Sequence, residues 1–393
     1  MDRKFGNFFE KEFQNLAGAG LLRKMRTVTE MRGKTIVADG REYLAFASNN
    51  YLGLARDPRL ADGAKKAIKK FGSGSTASRL VAGNLEIHDE LERRTARFKN
   101  REACLVYPSG FQTNIGLFPA LFGGQDIIVS DSKNHASMIA GAALSNARIE
   151  VYPHLDVEEL ERILGALPSR RMCAIATDSV FSMSGDVAPL DEITRLAKYH
   201  GAITMIDEAH ATGVMGEGGR GCEAAFENLS EPVDIVMGTY SKALGSQGGF
   251  ICGSEDLIKY LYNSSRAFLY TTGLAPAACG AAIAALDIIE NDPEPLGRLR
   301  AAVSVCRAKL KENGFGLPPH ETPIIPVIIG KEEEAVKVGD FLLEKGLLAP
   351  VMRYPTVERG RAMLRVSVSA LHEEEDFDRL VGTLREARDR FRL

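Results

Sequence analysis

AITMIDEAHATG (residues 202–213) and DIVMGTYSKALG (residues 234–245) decide the fold. Each opens with an apolar run of strand length and then breaks into polar and glycine residues. Neither alternates strictly between apolar and polar, which marks a strand covered on both faces. Asp207 closes the first run, and Lys242 lies just past the second. Working outward, short apolar runs recur at ACLVY (103–107), DIIVS (126–130), ARIEVY (147–152), MCAIATD (172–178) and GGFICG (248–253). Helical patterns such as 156–167 and 189–200 fill most of the gaps. Strands alternating with helices predict an α/β fold with a mostly parallel central sheet.

The flanks read differently. Residues 1–25 carry Phe5, Phe8, Phe9, Phe13, Leu16, Leu21 and Leu22 at roughly helical spacing, which predicts an amphipathic helical arm. TIVADGREYLAF (35–46) predicts a hairpin turned at Asp39-Gly40. Residues 57–71 and 86–100 carry helical patterns, the first with Pro58 near its start. An Ala-rich helix after Pro276 breaks at Asn291-Asp292-Pro293. Beyond it come a helix (294–313), a strand (323–330), a helix (332–345), a strand (363–369) and a closing helix (373–390). The predicted division is an arm at 1–45, a large domain at 46–290 and a smaller α+β domain at 291–393.

Composition narrows the function. The 393 residues include 49 basic and 52 acidic ones, net −3, which argues against a non-specific nucleic-acid binder or a polybasic membrane-surface protein. No run reaches the ~18 apolar residues of a spanning helix. Gly273 to Leu286 is short and Ala-rich and reads as a buried helix. Asp2, Glu10, Lys11 and Glu12 interrupt the first residues, so they do not read as a signal peptide, and a cytosolic protein is expected. The six cysteines include no C-x-x-C pair and sit mostly among apolar neighbours. They predict core thiols rather than a disulfide framework or a zinc site.

Three motifs mislead. Gly72-Ser-Gly74-Ser-Thr-Ala77 is formally a G-x-G-x-x-A, but it follows a helix, whereas a dinucleotide loop follows a strand. Asp207-Glu208-Ala209-His210 also occurs in helicases, yet the phosphate loop that reading requires is missing: Val28 stands where Gly33-Lys34-Thr35 needs an earlier glycine. No G-x-S-x-G elbow exists, which removes the common hydrolase reading. His88, His154, His200, His320 and His372 lack local metal-ligand partners and read as structural or surface residues; no metal site is expected.

Asp207, His210 and Lys242 remain. In an open α/β sheet ligands bind at the carboxyl ends of the strands, where Asp207 lies. A buried carboxylate needs a cationic partner. Lys242 follows the next apolar strand, in a turn of hydroxyls and glycines. A lysine in an apolar site can have a depressed pKa and act as a nucleophile toward a carbonyl. A carboxylate and a lysine, without phosphate loop or metal cluster, suit pyridoxal phosphate, whose pyridinium takes the carboxylate and whose aldehyde takes the lysine. Ser109-Gly110-Phe111 follows strand 103–107 and opens a helical stretch, so its backbone N–H groups suit the phosphate. Thr239 and Ser241 add hydroxyls, and His135, just past strand 126–130, is placed to stack on the ring.

These residues belong to longer strings. The chain resembles the α-oxoamine synthases, a branch of the fold-type-I pyridoxal phosphate enzymes. The matching strings are Ser48-Asn-Asn-Tyr-Leu-Gly-Leu54, Gly74-Ser-Thr-Ala-Ser-Arg79-Leu-Val-Ala-Gly83, Asn134-His-Ala-Ser137 and Ser179-Val-Phe-Ser-Met-Ser-Gly185-Asp186-Val-Ala-Pro-Leu190. Further on come Ile206-Asp-Glu-Ala-His-Ala-Thr-Gly213, Gly219-Arg-Gly221, Ser241-Lys-Ala-Leu-Gly245, Tyr354-Pro-Thr-Val357 and Leu364-Arg-Val366. They span residues 20–372 in the family's order.

The resemblance implies a decarboxylating condensation of an amino acid with an acyl-CoA or acyl-carrier-protein thioester, giving an α-aminoketone. Lys242 would carry the cofactor and remove the Cα proton, Asp207 would keep the pyridinium protonated, and His135 would stack on the ring. His210 and Ser182 would serve the ring hydroxyl and its surroundings. Arg365, helped by Asn49, would hold the amino-acid carboxylate. Arg23, Arg353 and Thr356 match positions near the acyl substrate; two surface arginines are the alternative reading. The family's enzymes are homodimers, and Tyr270, Thr271 and Thr272 match a segment that crosses to the partner's cofactor phosphate. Gly20-Leu-Leu-Arg-Lys24, Asn49-Asn-Tyr-Leu-Gly-Leu-Ala55 and Pro355-Thr-Val357 are most similar to the member that joins L-alanine to a pimeloyl thioester in biotin synthesis. Members that use glycine with acetyl-CoA or serine with palmitoyl-CoA are the alternatives, and an inactive scaffold of the same fold is the alternative outside catalysis. Two departures stand out. Met363 replaces a usual arginine, which removes any charge network using it, and Ser184 replaces a usual aspartate while Asp186 is kept.

Overall fold

A computed structural model describes residues 3–18, 21–22, 25–168, 171–226 and 228–392. Among these residues the strands are β1 (Val28–Arg32), β2 (Thr35–Ala38), β3 (Arg41–Ala45), β4 (Ala103–Tyr107), β5 (Ile127–Asp131), β6 (Arg148–Tyr152) and β7 (Cys173–Asp178). They continue with β8 (Ile203–Asp207), β9 (Ile235–Thr239), β10 (Gly249–Gly253), β11 (Ile324–Gly330), β12 (Leu347–Leu348), β13 (Val351–Met352) and β14 (Ala362–Ser367). The large sheet runs β4-β10-β9-β8-β7-β5-β6. Strand β10 is antiparallel to both neighbours, and the other pairings are parallel. The carboxyl ends of β4, β5, β7, β8 and β9 therefore share one edge, which brings Asp131, Asp178, Asp207 and Thr239 together.

Burial on both faces explains the apolar runs. Successive residues of one strand feed opposite cores. In β4, Cys104 and Val106 join one hydrophobic cluster while Leu105 and Tyr107 join the other. Strand β9 divides likewise, with Val236 on one side and Ile235 and Met237 on the other. All six cysteines are buried, and none is joined in a disulfide among the described residues. The helices are punctuated locally. Helix Leu190–His200 has Asp191 and Glu192 in its first turn, Lys198 and His200 in its last, and Gly201 as a left-handed cap. Helix Gly110–Leu121 starts at Ser109, whose hydroxyl accepts the Gln112 N–H at 3.2 Å.

The flanks use two smaller sheets. Strands β1, β2 and β3 form a meander turned at Asp39 and Gly40, both at positive φ, and β3 pairs in parallel with β12. Strands β11, β14 and β13 form an antiparallel sheet that carries Arg365. Ser367 N–H bonds to Phe46 C=O at 2.9 Å and Ala370 N–H to Tyr51 C=O at 2.7 Å, so the Ser48–Leu54 string lies against the chain around Arg365. Helix Arg3–Gly18 leaves Phe5, Phe8, Phe9, Phe13 and Leu16 exposed. Among the described residues no helix is long and apolar enough to cross a membrane.

The Asp207-Glu208-Ala209-His210 string divides its labour. Glu208 is buried against Lys99 and accepts the Cys222 N–H at 2.6 Å. A Cβ on Gly221, at φ +124°, would overlap the Glu208 carboxylate, so the Gly219-Arg-Gly221 string closes around it. Glu208 is a structural anchor, and Asp207 and His210 face the site.

Candidate active site

Asp207, the last residue of β8, is buried with one donor on each oxygen: Ala209 N–H to Oδ1 at 2.9 Å and Asn114 Nδ2 to Oδ2 at 2.8 Å. Lys242 lies in the loop after β9, with Nζ 2.7 Å from His210 Nε2. The other His210 nitrogen, Nδ1, lies 2.8 Å from the Tyr51 hydroxyl. Tyr51 in turn donates to Asn49 Oδ1 at 3.2 Å. Burial, opposed by the Asp207 and Asp178 carboxylates, brings the Lys242 amine down to about 8. Burial, with Lys242 and Arg365 nearby, holds His210 well below the usual imidazole range. A neutral His210 accepts at Nε2 from Lys242 and donates from Nδ1 to Tyr51. Burial and the neighbouring Asp207 raise Asp178 well above the usual carboxylate range.

Arg365 completes this chain. Its Nη1 donates to Ser367 Oγ at 2.7 Å and to Asn49 Oδ1 at 3.2 Å, its Nη2 to Tyr51 at 3.4 Å, and its Nε to the Ser182 carbonyl. The residue is 5% exposed, and among the described residues it forms no ion pair with a carboxylate. A buried guanidinium without a counter-anion is expensive, so an anion that reached it would be favoured.

The predicted phosphate donors also converge. A Cβ on Gly110 would lie 3.2 Å from Met237 Cε and 3.4 Å from Thr239 Cβ, so glycine lets the start of helix Gly110–Leu121 reach Thr239. The Thr239 hydroxyl donates to Gly248 C=O at 2.6 Å and lies 3.1 Å from Ser241 Oγ. Phe111 is exposed. Thr271 and Thr272 are not bonded to this cluster: Thr272 pairs with Ser78 in an isolated bridge, and Tyr270 is exposed beside it.

A cavity of about 1310 Å³ adjoins this hydrogen-bond chain at Ser182, and His135 also lines it. Phe181, Met183, Leu317, Val327 and Met363 give it apolar walls, and Thr356, Arg359 and Arg361 add polar ones. The Arg359 guanidinium lies 4.2 Å from the centre of the Tyr354 ring. Arg353 is not among the lining residues, although its carbonyl accepts the Thr356 N–H at 2.9 Å. Arg23 lies outside the described residues.

Sequence reasoning gave no individual role to Tyr51, Asn114, Ser137, Asp178, Arg359 or Arg361. Tyr51 and Ser137 sit inside matching strings, which was the available signal. Asn114 lies four residues past Gly110, on the same helical face of a largely apolar helix.

The aminotransferase class I and II family model matches residues 41–384. The chain is 43% identical over 376 residues to the 8-amino-7-oxononanoate synthase of Geobacter sulfurreducens, covering 95% of this chain and 96% of that one. A serine palmitoyltransferase of S. paucimobilis with a bound PLP ligand superimposes with a TM-score of 0.91 at 29% identity, covering 98% of each chain. The 8-amino-7-oxononanoate synthase of Francisella tularensis superimposes with a TM-score of 0.77 at 25% identity, covering 89% of this chain and 99% of that one.

Proposed function

We propose the reaction from this premise: the chain belongs to the aminotransferase class I and II family and, within it, to the α-oxoamine synthases. It catalyses a decarboxylating condensation of L-alanine with a pimeloyl thioester to 8-amino-7-oxononanoate, the product in the names of relatives at 43% identity. The observation that carries the reading is Arg365, a buried cation without a carboxylate partner among the described residues, joined to Lys242 through Tyr51 and His210. An amino acid held there by its carboxylate stands within reach of a lysine base.

The residues present fit pyridoxal 5′-phosphate. The start of helix Gly110–Leu121, with Thr239 and Ser241, offers donors for the phosphate, and Asp207 offers an acceptor for a protonated ring nitrogen. When bound, the cofactor supplies an electron sink for the carbanion formed at the amino acid's Cα.

The chain's own residues do the rest. Burial shifts Lys242 toward its neutral amine, and that form takes the Cα proton at Nζ. Neutral His210 accepts from the lysine at Nε2 and holds Nζ in place. Arg365 grips the substrate carboxylate, with Asn49 and Tyr51 fixing its fork. The cavity beside His135 and Ser182 receives the acyl chain against Phe181, Met183 and Met363, and its size exceeds that of an amino-acid pocket.

The same reading includes a homodimer in the cytoplasm. Its support is the outward-facing Tyr270–Thr272 segment, set apart from its own cluster, and the exposed apolar face of helix Arg3–Gly18. Sedimentation should give a dimer, and mixing Lys242→Ala with a Thr271→Ala/Thr272→Ala double variant should restore activity through hybrid sites. An active monomer would overturn this part alone.

Substrate choice is tested by competition among alanine, glycine and serine against acetyl-, pimeloyl- and palmitoyl-CoA. Alanine with pimeloyl-CoA should prevail. Glycine with acetyl-CoA, or serine with palmitoyl-CoA, would reassign the chain within its family.

A further inference from the structure

Helix Ala136–Leu144 begins at His135, and the cap is unusual in being an imidazole. His135 Nδ1 accepts the Ser137 backbone N–H at 3.3 Å and lies 2.7 Å from Ser137 Oγ. A ring nitrogen that accepts a backbone N–H carries no proton of its own. The remaining proton of a neutral ring is then on Nε2.

The Ser137 hydroxyl is itself oriented. Asn114 Nδ2 donates to Ser137 Oγ at 2.9 Å, which leaves the hydroxyl hydrogen free to turn toward His135 Nδ1. The same Nδ2 donates to Asp207 Oδ2 at 2.8 Å. A carboxylate only accepts, so the amide nitrogen, not its oxygen, faces Asp207. Asn114 is fully buried, and its Oδ1 has no partner among the described residues. Since a buried unpaired acceptor is unfavourable, this orientation is set by the two bonds that Nδ2 donates.

We propose that Asn114 and Ser137 are positioning residues that lock His135 as the neutral Nε2–H tautomer and tie it to the Asp207 carboxylate. The relay runs from Asp207 Oδ2 through the Asn114 amide and the Ser137 hydroxyl to His135 Nδ1. Its outcome is a ring N–H at Nε2, on a residue that lines the cavity. Asp178 fixes the other side of the residue by accepting its backbone N–H at 2.7 Å. Asp207, Lys242 and His210 are the titratable groups of the site that interact electrostatically with His135. The functional importance of the tautomer rests on the condensation reading above; the tautomer itself does not.

Nitrogen NMR of the cofactor-loaded enzyme, labelled with ¹⁵N-histidine and with His135 assigned through His135→Gln, tests the relay without measuring turnover. In the parent, His135 should show an unprotonated Nδ1 and a protonated Nε2 between about pH 6 and 8, where a free imidazole titrates. Ser137→Ala keeps the long backbone N–H bond to Nδ1 at 3.3 Å but loses the 2.7 Å hydroxyl contact, so a fraction of the Nδ1–H tautomer should appear, and Ser137→Thr should restore the parent pattern. Asn114→Asp, matched in shape but without the N–H donor, should shift the same resonances. Kinetics should follow, with kcat falling about 10-fold in Ser137→Ala and recovering in Ser137→Thr. A proton on Nδ1 in the parent would overturn the proposal, as would Ser137→Ala and Asn114→Asp spectra that superimpose on the parent's. Either result would leave the condensation assignment standing.

Discussion

His210 and His154 stand at the same edge of the large sheet, just past β8 and β6, and their surroundings drive them toward opposite charge states. His210 is buried between the Tyr51 hydroxyl and the Lys242 amine, and its pKa lies well below the usual imidazole value. His154 lies between two carboxylates, with Nδ1 3.0 Å from Asp131 and Nε2 3.2 Å from Asp186. Burial opposes the charge on His154, but the two carboxylates prevail and raise its pKa. The difference teaches that the partner decides what each imidazole can do. A neutral ring can accept from Lys242 and keep that lysine aligned. A charged ring donates from both nitrogens and clamps the end of β5 to the 181–186 turn. That clamp supports the ground on which His135 and Ser182 stand.

The comparison breaks most visibly at Lys242. Lys242→Ala should reduce condensation by about 10⁴-fold or more while the fold persists, because the base is removed and His210 loses its partner. Steady-state release of CoA reads this directly, and near-parental turnover would end the mechanism. Asp207→Asn keeps shape and removes charge; exchange of the alanine Cα proton with solvent should slow by roughly 100-fold or more. An effect below about threefold would remove Asp207 from the proton chemistry.

The two histidines should also separate by pH. His154 has a raised folded pKa, so its stabilisation is complete below the unfolded value near 6.5 and is lost as pH rises through the folded value. His210 has a depressed one, so its stabilisation is complete above about 6.5 and is lost as pH falls. His154→Gln should therefore cost about 1–3 kcal/mol near pH 6 and less by pH 8, as denaturant titrations at each pH would show. His210→Gln should flatten the acid side instead. Equal pH slopes in the two variants would erase the contrast.

The smallest effect is expected at Ser184, whose hydroxyl assists His154, the main cause, in keeping the Asp186 carboxyl below its usual range. Ser184→Ala should change stability by less than about 1 kcal/mol. A larger loss would give Ser184 a greater part in the clamp than that one bond supplies.

Much of this could be read from the chain. The strands of the large sheet were legible because burial on both faces demands continuous apolar runs, as in ACLVY and DIVMGT. Strand β1 (Val28–Arg32) was not, since all five residues are exposed and three are polar or charged. Asp207, His210 and Lys242 were legible because strand ends announce them. Asn114 and Ser137 acquire meaning only from partners brought together by folding, 93 residues apart for Asn114 and Asp207. His154 read as a structural or surface residue, and its clamp depends on Asp131 and Asp186, which no local spacing joins to it.

The central claim is that Lys242 is the reactive lysine. Borohydride reduction of the pyridoxal-phosphate-loaded protein, followed by peptide mass mapping, tests it most directly. The cofactor mass should be found on the peptide containing Lys242 and should vanish there in Lys242→Ala. Recovery of the cofactor on another lysine of the parent protein, such as Lys133 at the cavity wall, with Lys242 unmodified, would contradict it.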